Sequence, residues 1–301
     1  MLYPTRFRVT SYAPGHVTGI FSIYDEYEDP LQRGSRGVGF SVDRGAVVEI
    51  SGVRSNKITV KATYNKNIAK TTEVAVKQLM ENYDLRYQVN VIIRPALPIS
   101  QGFGISASGT LAALYGLTKV FKIKEEDALK YTHVAEIKMS TGLGDAVAEW
   151  YGGFEARVIP GVPPMGLVER IRVSRNTKAV LAVIDKPIKT KSIIRRPELK
   201  EKIRKTGDDL LEEFLDSDRS LEEFVSLSYE FALEINVMSK KTSIVLRELW
   251  KEGISASQCM IGNSIFSFDP HALHILKEMG IKDVYTTYIG KGPRIIKIER
   301  D

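Results

Sequence analysis

Hydrophobic residues recur at every second position in some stretches of the chain and at every third or fourth in others, and these two periods divide it into elements. Phe7 to Tyr12 alternates as a strand that runs into Ala13-Pro14-Gly15-His16, read as a turn. Ala46 to Val60 alternates again, with a break at Ser55-Asn56. Ile68, Thr72, Val76 and Leu79 then fall on one face of an amphipathic helix. Val89 to Ile93 returns to the strand period and leads through Pro98 to Ser108 into a second helical pattern. Leu111, Leu114, Leu117 or Thr118, and Phe121 mark the apolar face of that helix. A helix from about Glu125 to Met139 is predicted to bury Ala128, Tyr131, Ala135 and Met139, and a short one covers Ala146 to Trp150.

Pro160, Gly161, Pro163, Pro164 and Gly166 form the densest cluster of breakers, and the domain boundary is expected there, giving an N-terminal domain of residues 1–165 and a C-terminal domain of residues 166–301. Ala179 to Ile184 reads as a buried strand. The basic run Lys186 to Lys205 reads as a solvated loop and helix face, with Lys189, Thr190 and Lys191 after the strand end, within reach of an anionic ligand. Ser220 and Glu223 form a capping box ahead of a helix through about Val237, and another helix spans Lys240 to Glu252. Gly262-Asn263 between apolar runs signals a hairpin. A helix at His271 to Met279 and strands at Asp283 to Ile289 and Arg294 to Glu299 follow.

Composition narrows the class. The 301 residues suffice for one large domain or two smaller ones, and 43% hydrophobic with 27% charged residues excludes a disordered or fibrous chain. A net charge of +6, from 43 basic and 37 acidic side chains spread along the sequence, suits an anionic small molecule and falls short of a nucleic-acid-binding face. One cysteine, Cys259, excludes an intramolecular disulfide framework and a multi-thiolate metal site. No signal-peptide core and no membrane-length apolar run occurs, so a cytoplasmic location is expected.

Several stretches carry candidate chemistry. Gly102 and Gly104 stand between a strand and a helix, where backbone amides and a helix N-terminus can cradle phosphate; an ordinary connection capped by Ser106 or Ser108 is the alternative. Glu136 sits near a helix C-terminus, where a carboxylate opposes the dipole and calls for a nearby cation. Asp145, flanked by Gly142 and Gly144, reads as a helix N-cap or an exposed carboxylate. His16 is a candidate donor to an anion or a locally satisfied histidine. Gly34 to Gly39 reads as a hairpin turn or as a substrate-facing loop carrying Arg36.

In this order along the chain, the stretches resemble the GHMP kinase superfamily, which phosphorylates hydroxyls of small metabolites such as galactose, homoserine, mevalonate and shikimate. Ala13-Pro14-Gly15-His16 looks like that family's Ala-Pro-Gly-Lys turn, and Pro98 to Ser108 like its phosphate motif Pro-x-x-x-Gly-Leu-Gly-Ser-Ser-Ala. Asp145, seven residues before Gly152, stands where several members keep a catalytic aspartate. His16 in place of lysine, Gly34 to Phe40, Gly102-Phe103-Gly104 ahead of Ser106, Gly142 to Asp145, and Met260-Ile261-Gly262-Asn263 look more closely like the archaeal pantoate kinases. Departures from the wider superfamily are Ile105 at its first motif serine and Cys259 to Asn263 at its third, glycine-rich motif.

The resemblance implies an α+β, two-domain fold, with a half like the second domain of ribosomal protein S5 and a ferredoxin-like half. It implies ATP and Mg²⁺ and transfer to the 4-hydroxyl of pantoate in coenzyme A synthesis. Another GHMP kinase, for homoserine, mevalonate or shikimate, and a non-catalytic metabolite-binding module remain alternatives. It further implies that Gly102, Phe103, Gly104, Ile105, Ser106, Ala107, Ser108 and Asn67 hold the nucleotide and that Ser106 and Glu136 hold the metal. Asp145 would act on the hydroxyl as catalytic residue with Ser106 and Glu136, while His16, Arg36 and Arg157 would meet the substrate. Expected partners are the small-molecule substrate and ATP, with no nucleic acid and no membrane; a homodimer is left open.

Overall fold

Residues 3–174, 176–188 and 196–301 are described by the computed structural model, so Lys189, Thr190 and Lys191 lie outside the described residues. Two long antiparallel strands, β1 (Arg6–Tyr24) and β2 (Gly34–Arg54), form the spine. Ala13 to His16 is not a turn. β1 passes through it on a bulge, where the register with β2 shifts between Ala13 and Gly15, and Pro14, which has no N–H to donate, is left out of the ladder. Gly34 to Gly39 is likewise strand, paired with Tyr24 to Thr18, and the reversal falls in residues 25–33 instead.

The larger sheet has eight strands. β3 (Thr59–Tyr64), β4 (Asn67–Ile68) and β5 (Tyr87–Pro95) extend it beyond the second half of β2, in the order β2-β5-β3-β4. β6 (Phe154–Ile159) pairs with the first half of β2, and β7 (Leu167–Ile171) pairs with β6. The Pro160 to Gly166 cluster therefore joins two strands of one sheet, and the break between sheets falls between Ile171 and β8 (Lys178–Val183). The smaller sheet adds β9 (Ser257–Gln258), β10 (Ser264–Ser267) and β11 (Val284–Tyr288), in the order β11-β8-β10-β9, all antiparallel. With helices after its first and third strands, this is a ferredoxin-like βαββαβ unit. β12 (Arg294–Arg300), expected in the C-terminal domain, crosses back and pairs with β1.

Helices α1 (Lys70–Asn82), α2 (Ile105–Phe121) and α3 (Glu126–Met139) pack on one face of the larger sheet. Strict alternation in β5 turns Tyr87, Val89, Val91 and Ile93 inward onto them. α1 starts after Ala69, which leaves Ile68 exposed in β4 rather than on the helix face. In α3 the buried face is Ala128, Leu129, Thr132, His133, Ala135 and Glu136, rotated from the expected one, and the rotation turns Glu136 inward. The junction of the sheets is itself core. Phe224, on the helix Leu221–Ile235, stacks on Phe266 of β10 at 5.4 Å, and both meet Phe40 of β2 edge-on. Each such buried aromatic truncated to alanine costs about 3–5 kcal/mol, so this cluster fixes how the two sheets meet.

Candidate active site

A cavity of about 880 Å³ opens where the two sheets meet. Its walls come from the loop ahead of α2, the C-terminal end of α3 with residues 140–145, Thr18 of β1, Ser35 of β2, Tyr64 with Ile68 to Thr72, and Pro187, Ile188, Met260 and Ile261 from the smaller-sheet side. The glycine loop is built as its sequence suggests. Ser100, Gly102 and Gly104 take positive φ of 63°, 76° and 65°, and Gly104 is the N-cap of α2. With a left-handed cap and no side-chain hydrogen bond to it, the first N–H groups of α2 have no capping side chain. Gly102, Phe103, Gly104, Ile105 and Ser106 all line the cavity. Phe103 is also buried in the core, where its carbonyl accepts from His16 N at 3.0 Å and ties the loop to β1.

Other expected nucleotide contacts fall elsewhere. Ala107 packs with Leu129, Ala146 and Val147, and the Ser108 hydroxyl donates to the Ala13 carbonyl at 2.9 Å, so it holds α2 to β1 rather than capping the helix or facing the cavity. Asn67 is an exposed β4 residue opposite Tyr64 and neither caps α1 nor lines the cavity, whereas its neighbours Ile68 to Thr72 do line it.

Two carboxylates face the opening of α2. Glu136, at the end of α3, is buried, and its Oε1 accepts from Thr141 Oγ1 at 3.4 Å. Burial first, and the Asp145 charge second, push its carboxyl up to about 8. Gly142 allows this packing, since a Cβ there would lie 2.7 Å from Glu136 Oε2. Asp145 begins the helix α4 (Asp145–Tyr151), but Gly144 is the cap and the aspartate makes no capping bond. Its Oδ1 instead lies 3.2 Å from Nδ1 of His16.

His16 is fully buried and does not line the cavity. Its Nε2 lies 3.2 Å from Glu155 Oε1, and Thr18 Oγ1 stands 3.3 Å from Nδ1. Burial alone would push the imidazole down; the Glu155 charge and the hydrogen bonds with Asp145 and Glu155 outweigh it and hold the ring above its ordinary value. Arg157 is also buried behind the wall, paired with Glu155 and 3.5 Å from Thr18 Oγ1. Arg36 points away, toward the helix Pro197–Asp216, where it binds Asp208 at 2.9 Å and Glu212. Its position alternates with Ser35, which is the β2 side chain that lines the cavity.

The sequence reading missed Glu155, Thr18, Ser35 and Glu149. A signal existed for the first two. Glu155 and Arg157 are two apart on a strand, as are His16 and Thr18, so each pair shares a face. Glu149 lies one turn after Asp145 in α4, is fully buried beneath Gly104, and has no hydrogen-bond partner at either oxygen. Burial, then Asp145 and Glu136, push its carboxyl well above the usual range.

A glycine loop opening a helix and two carboxylates, all lining one cavity, make an arrangement suited to phosphoryl transfer. The chain belongs to the GHMP kinases: the model of the GHMP kinases N terminal domain matches residues 67–153. It is 32% identical over 282 residues to a protein of Methanocaldococcus jannaschii named pantoate kinase, covering 91% of this chain and 99% of that one. A second protein of that name, from Methanospirillum hungatei, is 31% identical over 299 residues, 97% and 98% of the two chains. A solved structure described as a phosphotransferase related to the CoA biosynthesis pathway superposes with a TM-score of 0.83 at 25% identity, covering 98% of this chain and 99% of the other. Among the described residues no helix is long and apolar enough to cross a membrane.

Proposed function

We propose that this chain transfers the γ-phosphoryl group of ATP to the 4-hydroxyl of pantoate, giving 4-phosphopantoate for coenzyme A synthesis in the cytoplasm. The observation that carries the reading is that Asp145 and the α2 N-terminus line one cavity, in a chain similar over nearly its whole length to two pantoate kinases. The amides of Gly104, Ile105 and Ser106 stabilise phosphate oxygens without reorganising, because the helix already leaves them unbonded. Ile68, Ala69 and Met139 offer an apolar wall to the base.

The residues fit Mg²⁺. Glu136 is raised first by its burial and second by the charge of Asp145, and one divalent cation would offset both. Glu136 and the Ser106 hydroxyl would hold the ion, which supplies charge neutralisation on the phosphates. Asp145 accepts a hydrogen bond from the 4-hydroxyl and orients it for in-line attack, worth roughly 10²–10⁴-fold in rate. The substrate carboxylate is read by the Thr18 and Ser35 hydroxyls with Arg157 behind them. Gly144 supports that reading, since a Cβ there would overlap Ser35 Oγ and lie 2.9 Å from Arg157 Nε, an N–H without a partner.

A panel of pantoate, homoserine, mevalonate and shikimate with ATP and Mg²⁺ tests the assignment, with ADP release as the readout. Turnover on pantoate with a phosphomonoester product by ³¹P NMR is expected. Turnover on another acid and none on pantoate would overturn it.

A further inference from the structure

We propose that Glu155 is a positioning residue for phosphoryl transfer: together with Arg157 it clamps a doubly protonated His16, and His16 in turn fixes the carboxylate of Asp145. The inference rests on the reading of Asp145 above. Glu155 does not line the cavity; it touches His16 and Arg157, and its effect on Asp145 travels through His16.

Three observations carry it. The first is charge balance in a cluster that is buried at His16, Glu155 and Arg157 and reaches the cavity at Asp145. Asp145 and Glu155 contribute two negative charges and Arg157 one positive, and His16 and Glu155 are fully buried. Only an imidazolium brings the sum to zero, and an unbalanced buried charge is costly. The second is geometry. The two ring nitrogens face two carboxylate oxygens at 3.2 Å each, so both must donate, and a neutral ring has one donor. The third is fit. A Cβ at Gly39 of β2 would lie 2.6 Å from His16 Nε2, so the ring packs directly against bare backbone on that side.

The groups facing the ring are Asp145 and, one turn on, Glu149 from α4, Glu155 and Arg157 from β6, and Thr18 from β1; β2 presents the uncharged Gly39 and Ser41. Glu149 is fully buried with no partner at either oxygen, which favours its uncharged form, so it is left out of the balance. With the proton in place, Asp145 has one oxygen committed to His16 and the other available to the substrate hydroxyl. Loss of that proton leaves Nδ1 without a hydrogen for Asp145 and frees the carboxylate to rotate.

The Glu155→Gln variant, of equal size, tests the clamp. It should lower kcat roughly 10- to 100-fold with KM for ATP nearly unchanged, as for other partners that orient a reacting group. The alkaline limb of the kcat profile should move to lower pH, because the uncharged amide no longer supplies the charge that holds the proton on His16. A purely structural residue would lower thermal stability and leave the limb where it was, and that result would overturn the proposal. Should Glu155→Gln fail to fold, imidazole ¹⁵N NMR of the wild-type protein at pH 7 decides: both His16 nitrogens protonated supports the clamp, and a neutral ring overturns it. This measurement needs no turnover, so its outcome is separate from whether pantoate is the substrate.

Discussion

Gly104→Ala isolates the contribution of the phosphate loop. Gly104 holds φ of 65°, a left-handed value that costs a residue with a Cβ about 1–2 kcal/mol. Its new methyl would overlap Glu149 Oε1 and lie 3.0 Å from His16 N, a crowding of the kind that costs about 1–3 kcal/mol. Together these give about 2–5 kcal/mol, or a fall in Tm of at least about 4 °C. The strain is relieved by tilting the first turn of α2, which moves the amides that meet phosphate. Loss of one hydrogen bond to a charged group is worth about 1.5–3 kcal/mol, so Kd for ATP should rise roughly 10- to 100-fold in calorimetric titration. A double-mutant cycle with Glu149→Ala separates the two costs. Removing the carboxyl should leave the φ penalty of about 1–2 kcal/mol and the milder contact with His16. A Gly104→Ala protein with unchanged Tm and unchanged Kd, or a cycle showing no coupling, would refute this account of the loop.

Glu136→Gln should abolish Mg²⁺-dependent turnover and yet raise Tm at pH 8 in the absence of metal. A carboxyl raised to about 8 in the folded state favours folding below its unfolded value, and that contribution is lost as pH climbs from about 4.5 to about 8, a loss glutamine does not suffer. In wild type, stabilisation by Mg²⁺ should therefore grow over the same interval, read by thermal melts across pH. Ser106→Ala should cut activity sharply with little change in Tm, while Ser108→Ala should do the reverse, losing about 0.5–1.5 kcal/mol with the bond to the Ala13 carbonyl. Arg36→Ala should lower stability by breaking its contacts to Asp208 and the Val158 carbonyl and leave KM for the hydroxy acid unchanged in steady-state kinetics.

Much of the fold lies in local patterns that the sequence displays. The alternation ending at Ile93, the glycines, and the apolar face from Leu111 to Phe121 predict strand, loop and helix where they occur, and Ser220 caps its helix by accepting from the Glu223 amide at 3.1 Å. What misled were residues whose usual local meaning is overridden by a distant partner. Pro14 signals a turn, but a bulge lets β1 continue past it. Gly37 and Gly39 signal turns as well, yet a Cβ on the first would overlap the Ile20 carbonyl, so close strand packing selects glycine there. Partner choice in β12 is equally silent, since one alternation fits either sheet. In the site, Asp145 and Glu136 are legible because glycines and a helix end mark them. Glu155 is not, because a charged residue in an alternating strand normally faces water, and its partner His16 is 139 residues away.

The return of β12 to β1 sets a timetable for synthesis. β1 emerges from the ribosome first, pairs with β2 early, and then presents its other edge, an unsatisfied row of amides and carbonyls, until residues 294–300 appear. At about 5–20 residues per second that interval is about 12–50 s, long compared with the time in which a nascent chain meets its neighbours. Arg6 and Arg8, which flank Phe7 at the start of that edge, place positive charge along it throughout the wait, and two nascent chains exposing the same edge repel one another.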